Sequence, residues 1–197
     1  GDPFTLKTTA PENNSFLYGR LNKHYEMKFY KQASKVLFTH DDARKIHIKE
    51  FHINPSITAV GQPISKFREH LYEQTKNYNY TNNDIKFGYF GIFTHGVRTP
   101  VNFINFLNKF QNYEMHWYIN SDSERILQKN TLDSSKHNFN SHVARDEALQ
   151  LMTNSFHCLV SIGNLNPNQI PSKVIEYIAT GKPVIHFAEI NDDPVIH

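Results

Sequence analysis

The sequence predicts an α/β chain built on a parallel sheet of about five strands, and three observations carry that prediction. Short apolar and aromatic runs recur from residue 85 to residue 189, each bounded by Gly, Pro or polar turn residues. Between them lie helical segments whose apolar positions repeat every three or four residues. Strands joined through helices need crossover connections, and crossovers make neighbouring strands parallel. Ligands of such sheets bind at the C-terminal strand ends, close to helix N-termini. The loops after residues 90, 120, 140 and 163 are therefore where a ligand is expected.

The first strand of this series is IKFGYF, residues 85–90, ended by Gly91. TPVNFINFLNKFQN follows as a helix, with Thr99 expected as N-cap and Pro100 at the first helical position. Its Val101, Ile104 and Leu107, and its Phe103, Phe106 and Phe110, recur at helical spacing. EMHWYINS (114–121) reads as the second strand and SERILQKN as a short helix. KHNFN is a weaker third strand, and HVARDEALQLMTNS the helix after it. FHCLVSIG (156–163) is the fourth strand, leading through the loop NLNPNQ into the helix PSKVIEYIAT. Gly181 closes that helix and PVIHFAE is the fifth strand.

The first third is organised differently. YGRLNKHYEMKFYKQAS reads as a basic amphipathic helix, KVLFT as a strand, HDDARKIHIKE as a helix and SITAVG (56–61) as a strand. REHLYEQTKNYNYTNND, which follows, is polar and reads as a helix end and a surface connection. The expected division is residues 1–61 and 62–197. The start without Met and the end soon after a strand make the chain look like a piece of something longer.

Composition narrows the function. A chain of 197 residues can bury a core without covalent staples. One cysteine excludes a disulfide framework and a thiolate-rich zinc site. Lys and Arg number 21 against 19 acids, a net charge of +2 that demands no nucleic-acid partner. No apolar stretch approaches the roughly 18 residues of a membrane span. The start is not basic-then-apolar, and Cys158 sits alone in an apolar run, so a reducing cytoplasm is expected.

The most informative stretch is PSKVIEYIATGKPVIHF, residues 171–187. At 100° per residue, Val174, Ile175, Ile178 and Ala179 share one side of the helix. Ser172, Lys173, Glu176, Tyr177 and Thr180 share the other. A carboxylate at Glu176, about one turn in, can take two hydroxyls of a ribose, while Lys173 and the helix N-terminus favour phosphate. The same pattern also fits a solvated surface Glu, with Gly181 and Pro183 merely ending the helix.

Ser-Lys-x-x-Glu-Tyr-x-Ala-x-Gly-Lys-Pro-Val-Ile resembles the donor-binding motif of GT-B glycosyltransferases, especially those similar to family 4. Strand IKFGYFG, followed by a loop and Arg98-Thr99-Pro100, is similar to that family's first strand and phosphate loop. FHCLVSIG with its polar loop into PSK sits where the family would have it. KFYKQASKVLFTH and INPSITAVGQPIS resemble the end of the family's N-terminal domain and its linker. The likeness covers most of residues 20–190.

The resemblance implies a doubly wound, Rossmann-like sheet that binds a nucleoside diphosphate sugar, in a parent enzyme that moves a hexosyl group to a glycan or lipid-linked acceptor in polysaccharide biosynthesis. It implies that Glu176 holds ribose hydroxyls and that Arg98 lies by the diphosphate with Lys173 and the amides of Ser172 and Lys173. Stabilising the leaving diphosphate would fall to Arg98, Lys173 and the helix N-terminus, with no metal or other cofactor. The loop Gly91-Ile-Phe-Thr-His95-Gly96 has two glycines that allow close backbone approach, although a plain strand-to-helix turn has the same pattern. Residues from Asn140 to Val143 would flank the base. Where the family often has a second Glu, eight positions before the ribose one, this chain has Asn168, which can hydrogen-bond a sugar without bringing charge. The acceptor-side residues of the family lie mostly outside this sequence, so the piece alone is expected to be inactive. Peripheral contact with a membrane stays open, because many such enzymes build on lipid-linked acceptors.

Other readings lose their motifs. KVLFT running into His40-Asp41-Asp42 is similar to the acidic pocket of a receiver domain, but IKFGYFG offers no Asp to phosphorylate. Asp41 and Asp42 read instead as first-turn acids. The twelve histidines show no i, i+4 pair that would hold a metal. GxGxxG, GxxxxGK[ST] and GxSxG are all absent. The rival that survives is a nucleotide-sugar-binding subunit that works through a partner chain and has no catalytic power of its own.

Overall fold

The structure, a computed structural model, describes residues 16–61, 84–129, 135–167 and 169–196. Asn168 and nearly all of the polar connection at 68–84 lie outside the described residues. The chain divides into two compact units. One is formed by Gly1–Pro63 with Asn164–Ile170 and Ile190–His197, the other by Ile64–Gly163 with Pro171–Glu189.

In the first unit, strands β1 (Val36–Phe38) and β2 (Thr58–Val60) pair in parallel, Val36 opposite Thr58. Helices Phe16–Gln32 and Asp41–Phe51 accompany them. Val36, Phe38, Ala43, Phe51 and Ile53 form the core, with Met27 and Tyr30 packed on it. The second helix is capped by His40, whose Nδ1 accepts from the Ala43 amide at 3.3 Å. Asp41 and Asp42 occupy its first turn, and Asp41 pairs with Arg44 and Lys45 at 2.7 Å each. These acids belong to a helix N-terminus.

The second unit holds a five-stranded, wholly parallel sheet: β3 (Ile85–Phe90), β4 (Tyr113–Ile119), β5 (His137–Ser141), β6 (Cys158–Ile162) and β7 (Val184–Phe187). Its order is β5-β4-β3-β6-β7, so the chain winds outward from β3 in one direction and then resumes on the other side. Along β4 the alternation is clean: Tyr113, Met115, Trp117 and Ile119 are buried, and Glu114, His116 and Tyr118 are half-buried. The first set faces Phe103, Ile104, Leu107 and Leu127 of helices Val101–Leu107 and Ser121–Gln128. On the opposite face, Phe90, Phe156 and Leu159 meet Ala148, Leu149, Met152 and Tyr177 of helices Arg145–Asn154 and Ser172–Ala179. Helices on both faces make the unit doubly wound, as the sequence implies. Cys158 is buried on β6.

A histidine side chain sits within the larger core, beside Trp117 and Tyr113. The Trp117 indole donates to His137 Nδ1 at 3.0 Å, so the imidazole proton is on Nε2, which meets the Tyr113 hydroxyl at 3.1 Å. With both ring nitrogens paired, the buried histidine leaves no unmet hydrogen bond.

The helix after β3 departs from its expected bounds. The Pro100 carbonyl accepts the first helical bond, from Ile104 N at 2.9 Å, which makes Pro100 the cap and leaves Thr99 outside. At its other end, Lys109 and Phe110 donate to Phe106 and Leu107, and these i to i+3 bonds tighten the last turn. The helix therefore stops at Leu107 and Phe110 is left exposed.

Candidate functional site

The site begins where the sheet parts. β3 pairs with β4 along its whole length, from Ile85↔Tyr113 to Phe90↔Tyr118. With β6 it pairs through Phe87↔Cys158 and Gly88↔Leu159, and the ladder then stops short of Phe90. Phe156 fills the space above Gly88, where a Cβ would lie 2.6 Å from its ring. Past that point the Tyr177 hydroxyl takes over the backbone of Phe90, accepting from its N–H at 2.9 Å and donating to its carbonyl at 3.2 Å. The gap between β3 and β6 is the switch point of the topology, the crevice where open α/β sheets receive ligands.

A cavity of about 210 Å³ opens at these strand ends, lined by Phe90, Gly91, Tyr118, His142, Val143, Arg145, Ala148, Lys173 and Glu176. Its floor is aromatic: the Phe90 and Tyr118 rings stack with centroids 4.5 Å apart, within 5° of parallel. Its charged wall centres on Glu176. Lys173 Nζ donates to Glu176 Oε2 at 2.6 Å, and Arg145 Nη2 stands 3.7 Å from Oε1. The Glu176 side chain is only 12% exposed, while those of Lys173 and Arg145 are 34% and 61% exposed. One carboxylate flanked by two cations gives hydroxyl-binding capacity beside a positive field suited to phosphate.

The loop from Gly91 is pinned rather than open. Gly91 N donates to Tyr118 O at 3.2 Å, and a Cβ there would lie 2.9 Å from the Tyr89 hydroxyl, so glycine permits the close approach. Phe93 turns inward and stacks on Tyr89 at 4.8 Å, while its N–H donates to Ser123 Oγ at 2.7 Å. Thr94 and Arg98 bridge across a tight turn whose Gly96 has φ 74°. Arg98 lies next to two buried phenols at the end of β3. Burial pushes the Tyr89 hydroxyl up, and the positive charge of the nearby Arg98 guanidinium pulls the other way. Burial likewise raises Tyr177, which keeps its hydroxyl protonated.

Of the residues singled out from sequence, the cavity brings together Gly91, Val143, Lys173 and Glu176, with His142 from the expected 140–143 stretch. Ser172 and His95 are exposed away from its lining, Gly96 serves the turn, and Arg98 stands beside Tyr89 rather than in the cavity wall. Asn140 turns its amide to the Asn138 carbonyl at 3.3 Å. Sequence reasoning missed Phe90, Tyr118 and Arg145 as lining. Arg145 sits at a helix start without a capping side chain, and no local pattern distinguishes it from a surface arginine.

The helical faces of 172–180 need correction. Tyr177 is 1% exposed and Thr180 is fully buried, whereas Ile178, expected inside, is 63% exposed. The buried stripe runs Val174, Tyr177 and, past the helix end, Thr180, whose Oγ1 donates to Tyr177 O at 2.6 Å. Tyr177 is drawn in because its hydroxyl finds a partner that the strand ladder leaves over, which offsets the cost of burying a phenol.

No protein-family model matches the chain, and no curated protein matches its sequence. Solved structures do match its fold. HepE of Anabaena, solved in complex with UDP-glucose, aligns over 92% of this chain and 51% of its own at 15% identity, with a TM-score of 0.57. Sucrose-phosphate synthase of Thermosynechococcus elongatus aligns over 93% and 48% at 13% identity, with a TM-score of 0.64. A glycosyltransferase from Rickettsia africae aligns over 82% and 47% at 13% identity, with a TM-score of 0.57. The chain thus spans about half the length of these proteins. At such identities the likeness is one of fold: the five-stranded unit has the Rossmann-like architecture of a GT-B glycosyltransferase domain.

Proposed function

We propose that this chain carries the donor-binding part of a glycosyltransferase that moves a hexosyl group from a nucleoside diphosphate sugar to a glycan or lipid-linked acceptor. The observation that supports it most is Glu176: a nearly buried carboxylate at the switch-point cavity, flanked by Lys173 and Arg145. A ribose diol needs a carboxylate that accepts two hydroxyls, and the adjoining diphosphate needs cations within one residue's reach. Phe90 and Tyr118 provide the aromatic floor on which a base would lie, with His142 and Val143 at its edge. Arg98 and Lys173 would stabilise the departing nucleoside diphosphate, and the reading calls for no metal.

In this proposal residues 1–61 form the end of an acceptor-side domain, and Asn168 meets the donor sugar through its amide. An amide in place of a second carboxylate favours, as the alternative, a subunit that binds the nucleotide sugar without transferring it. Among the described residues no helix is long and apolar enough to cross a membrane.

The test is calorimetric titration of this chain with UDP, GDP and their common sugar conjugates. Binding of one nucleotide class, weakened by Glu176→Ala and by Arg98→Ala, supports the proposal. Binding unaffected by both variants, or none at all, removes it. Turnover by a longer parent protein separates the enzyme from the binding subunit.

A further inference from the structure

The Tyr177 hydroxyl performs a task that neither the motif nor the fold assigns to it. The backbone groups of Lys86, Gly88 and Phe90 all face β6. His157 N donates to Lys86 O at 2.9 Å, Gly88 pairs with Leu159, and Phe90 is left to Tyr177. The phenol thus occupies the rung at which β3 and β6 separate, and it comes from the helix that carries Glu176 on the preceding residue. On the strand side, Phe90 immediately precedes Gly91, where the Arg98 loop begins. Two bonds from one oxygen therefore connect the helix that bears the carboxylate to the strand that launches the loop.

We propose that Tyr177 is a positioning residue whose hydroxyl fixes the span between Glu176 and the Gly91–Arg98 loop. This rests on the donor reading for its ligand, although not for its geometry. On that reading a nucleoside diphosphate engages the carboxylate through its ribose and, through its phosphates, the loop that enters the cavity lining at Gly91. Joining two half-sites in one ligand gains affinity only if their separation is held. Loss of the hydroxyl should therefore penalise the two-part ligand and spare each part alone. A role in stability alone would lower all affinities together or none.

The experiment compares wild type with Tyr177→Phe, which keeps the ring and removes the oxygen. UDP and GDP are titrated by calorimetry, and uridine, guanosine and inorganic pyrophosphate are followed by NMR shift perturbation. The expected result is roughly a tenfold loss for the nucleoside diphosphate that binds wild type, with the nucleoside and pyrophosphate affinities changed less than twofold. Amide hydrogen exchange reads the geometry independently. Phe90 N–H should be protected in wild type and released in Tyr177→Phe, and the wild-type phenolic proton should show a nuclear Overhauser contact to that amide. Equal Phe90 exchange in both proteins, or absence of that contact, overturns the proposal whether or not any nucleotide binds. Altered exchange with unchanged diphosphate affinity, or an equal loss for all ligands, overturns the positioning role. If wild type binds no nucleoside diphosphate, the donor reading fails and the positioning role fails with it, while the Phe90 exchange still decides whether the tie exists.

Discussion

Lys173 and Glu176 are joined across one helical turn by a 2.6 Å charged hydrogen bond, so the carboxylate faces the cavity already oriented. An ionised carboxylate has about four acceptor sites, and Lys173 occupies one of them. The rest remain for hydroxyl donors and for Arg145 at 3.7 Å.

Glu176→Gln keeps the shape and removes the charge. Because Lys173 and Arg145 are partly exposed, the loss in stability should stay under about 1 kcal/mol. Nucleoside diphosphate affinity should fall at least about tenfold. Paired calorimetry and thermal melts check this, and a large melting shift without an affinity change would contradict it.

Ser123 is fully buried at the first turn of its helix, and its hydroxyl accepts from Phe93 N at 2.7 Å. Ser123→Ala leaves that N–H buried and unpaired, at a cost of about 1–3 kcal/mol. Urea unfolding should show the loss, and amides of residues 91–98 should exchange faster. Unchanged exchange there would mean that the loop does not depend on this bond.

Gly88 lies under the Phe156 ring, where an added Cβ would come within 2.6 Å of a ring carbon. Gly88→Ala must displace a ring that is 1% exposed and packed against Phe90, destabilising by about 1–3 kcal/mol. The combined Gly88→Ala and Phe156→Leu variant should recover part of that in urea titrations. No recovery would place the strain in the backbone.

Lys182 is buried with its ammonium bonded to the Phe156 carbonyl, and burial pushes its pKa down to about 8. Between pH 8 and its ordinary 10.5 the folded chain binds fewer protons than the unfolded one, so stability rises with pH in that window. The gain is at most about 1.4 kcal/mol per pH unit. Lys182→Met should abolish that rise relative to wild type in unfolding measured at pH 7.5 and 9.5. Parallel profiles would show that the amine titrates normally.

Strands were the most legible part of this sequence. IKFGYF matches β3 residue for residue, because an aromatic and branched run set between Asp84 and Gly91 leaves little choice of ends. The helix after it was less so, since the tightening at Asn108–Phe110 depends on main-chain bonds that side-chain periodicity does not encode. Glu176, Lys173, Val143 and Gly91 could be read from the motif pattern and from strand-end logic. Tyr177 could not be placed by its periodicity, because its burial depends on a missing rung between two strands seventy residues apart in sequence. Arg145 and Tyr118 reach the cavity through the parallel crossover, a relation that exists only once the sheet has formed.

Phe90 and Phe93 are each held by one hydroxyl that both accepts from and donates to the same residue, Tyr177 for the first and Ser123 for the second. The stretch leaving β3 therefore takes its aim from two helices, while the ladder below it is kept by the strands. The two anchors act separately: moving either hydroxyl re-aims the stretch from Phe90 to Phe93 while the β3–β4 ladder keeps its register.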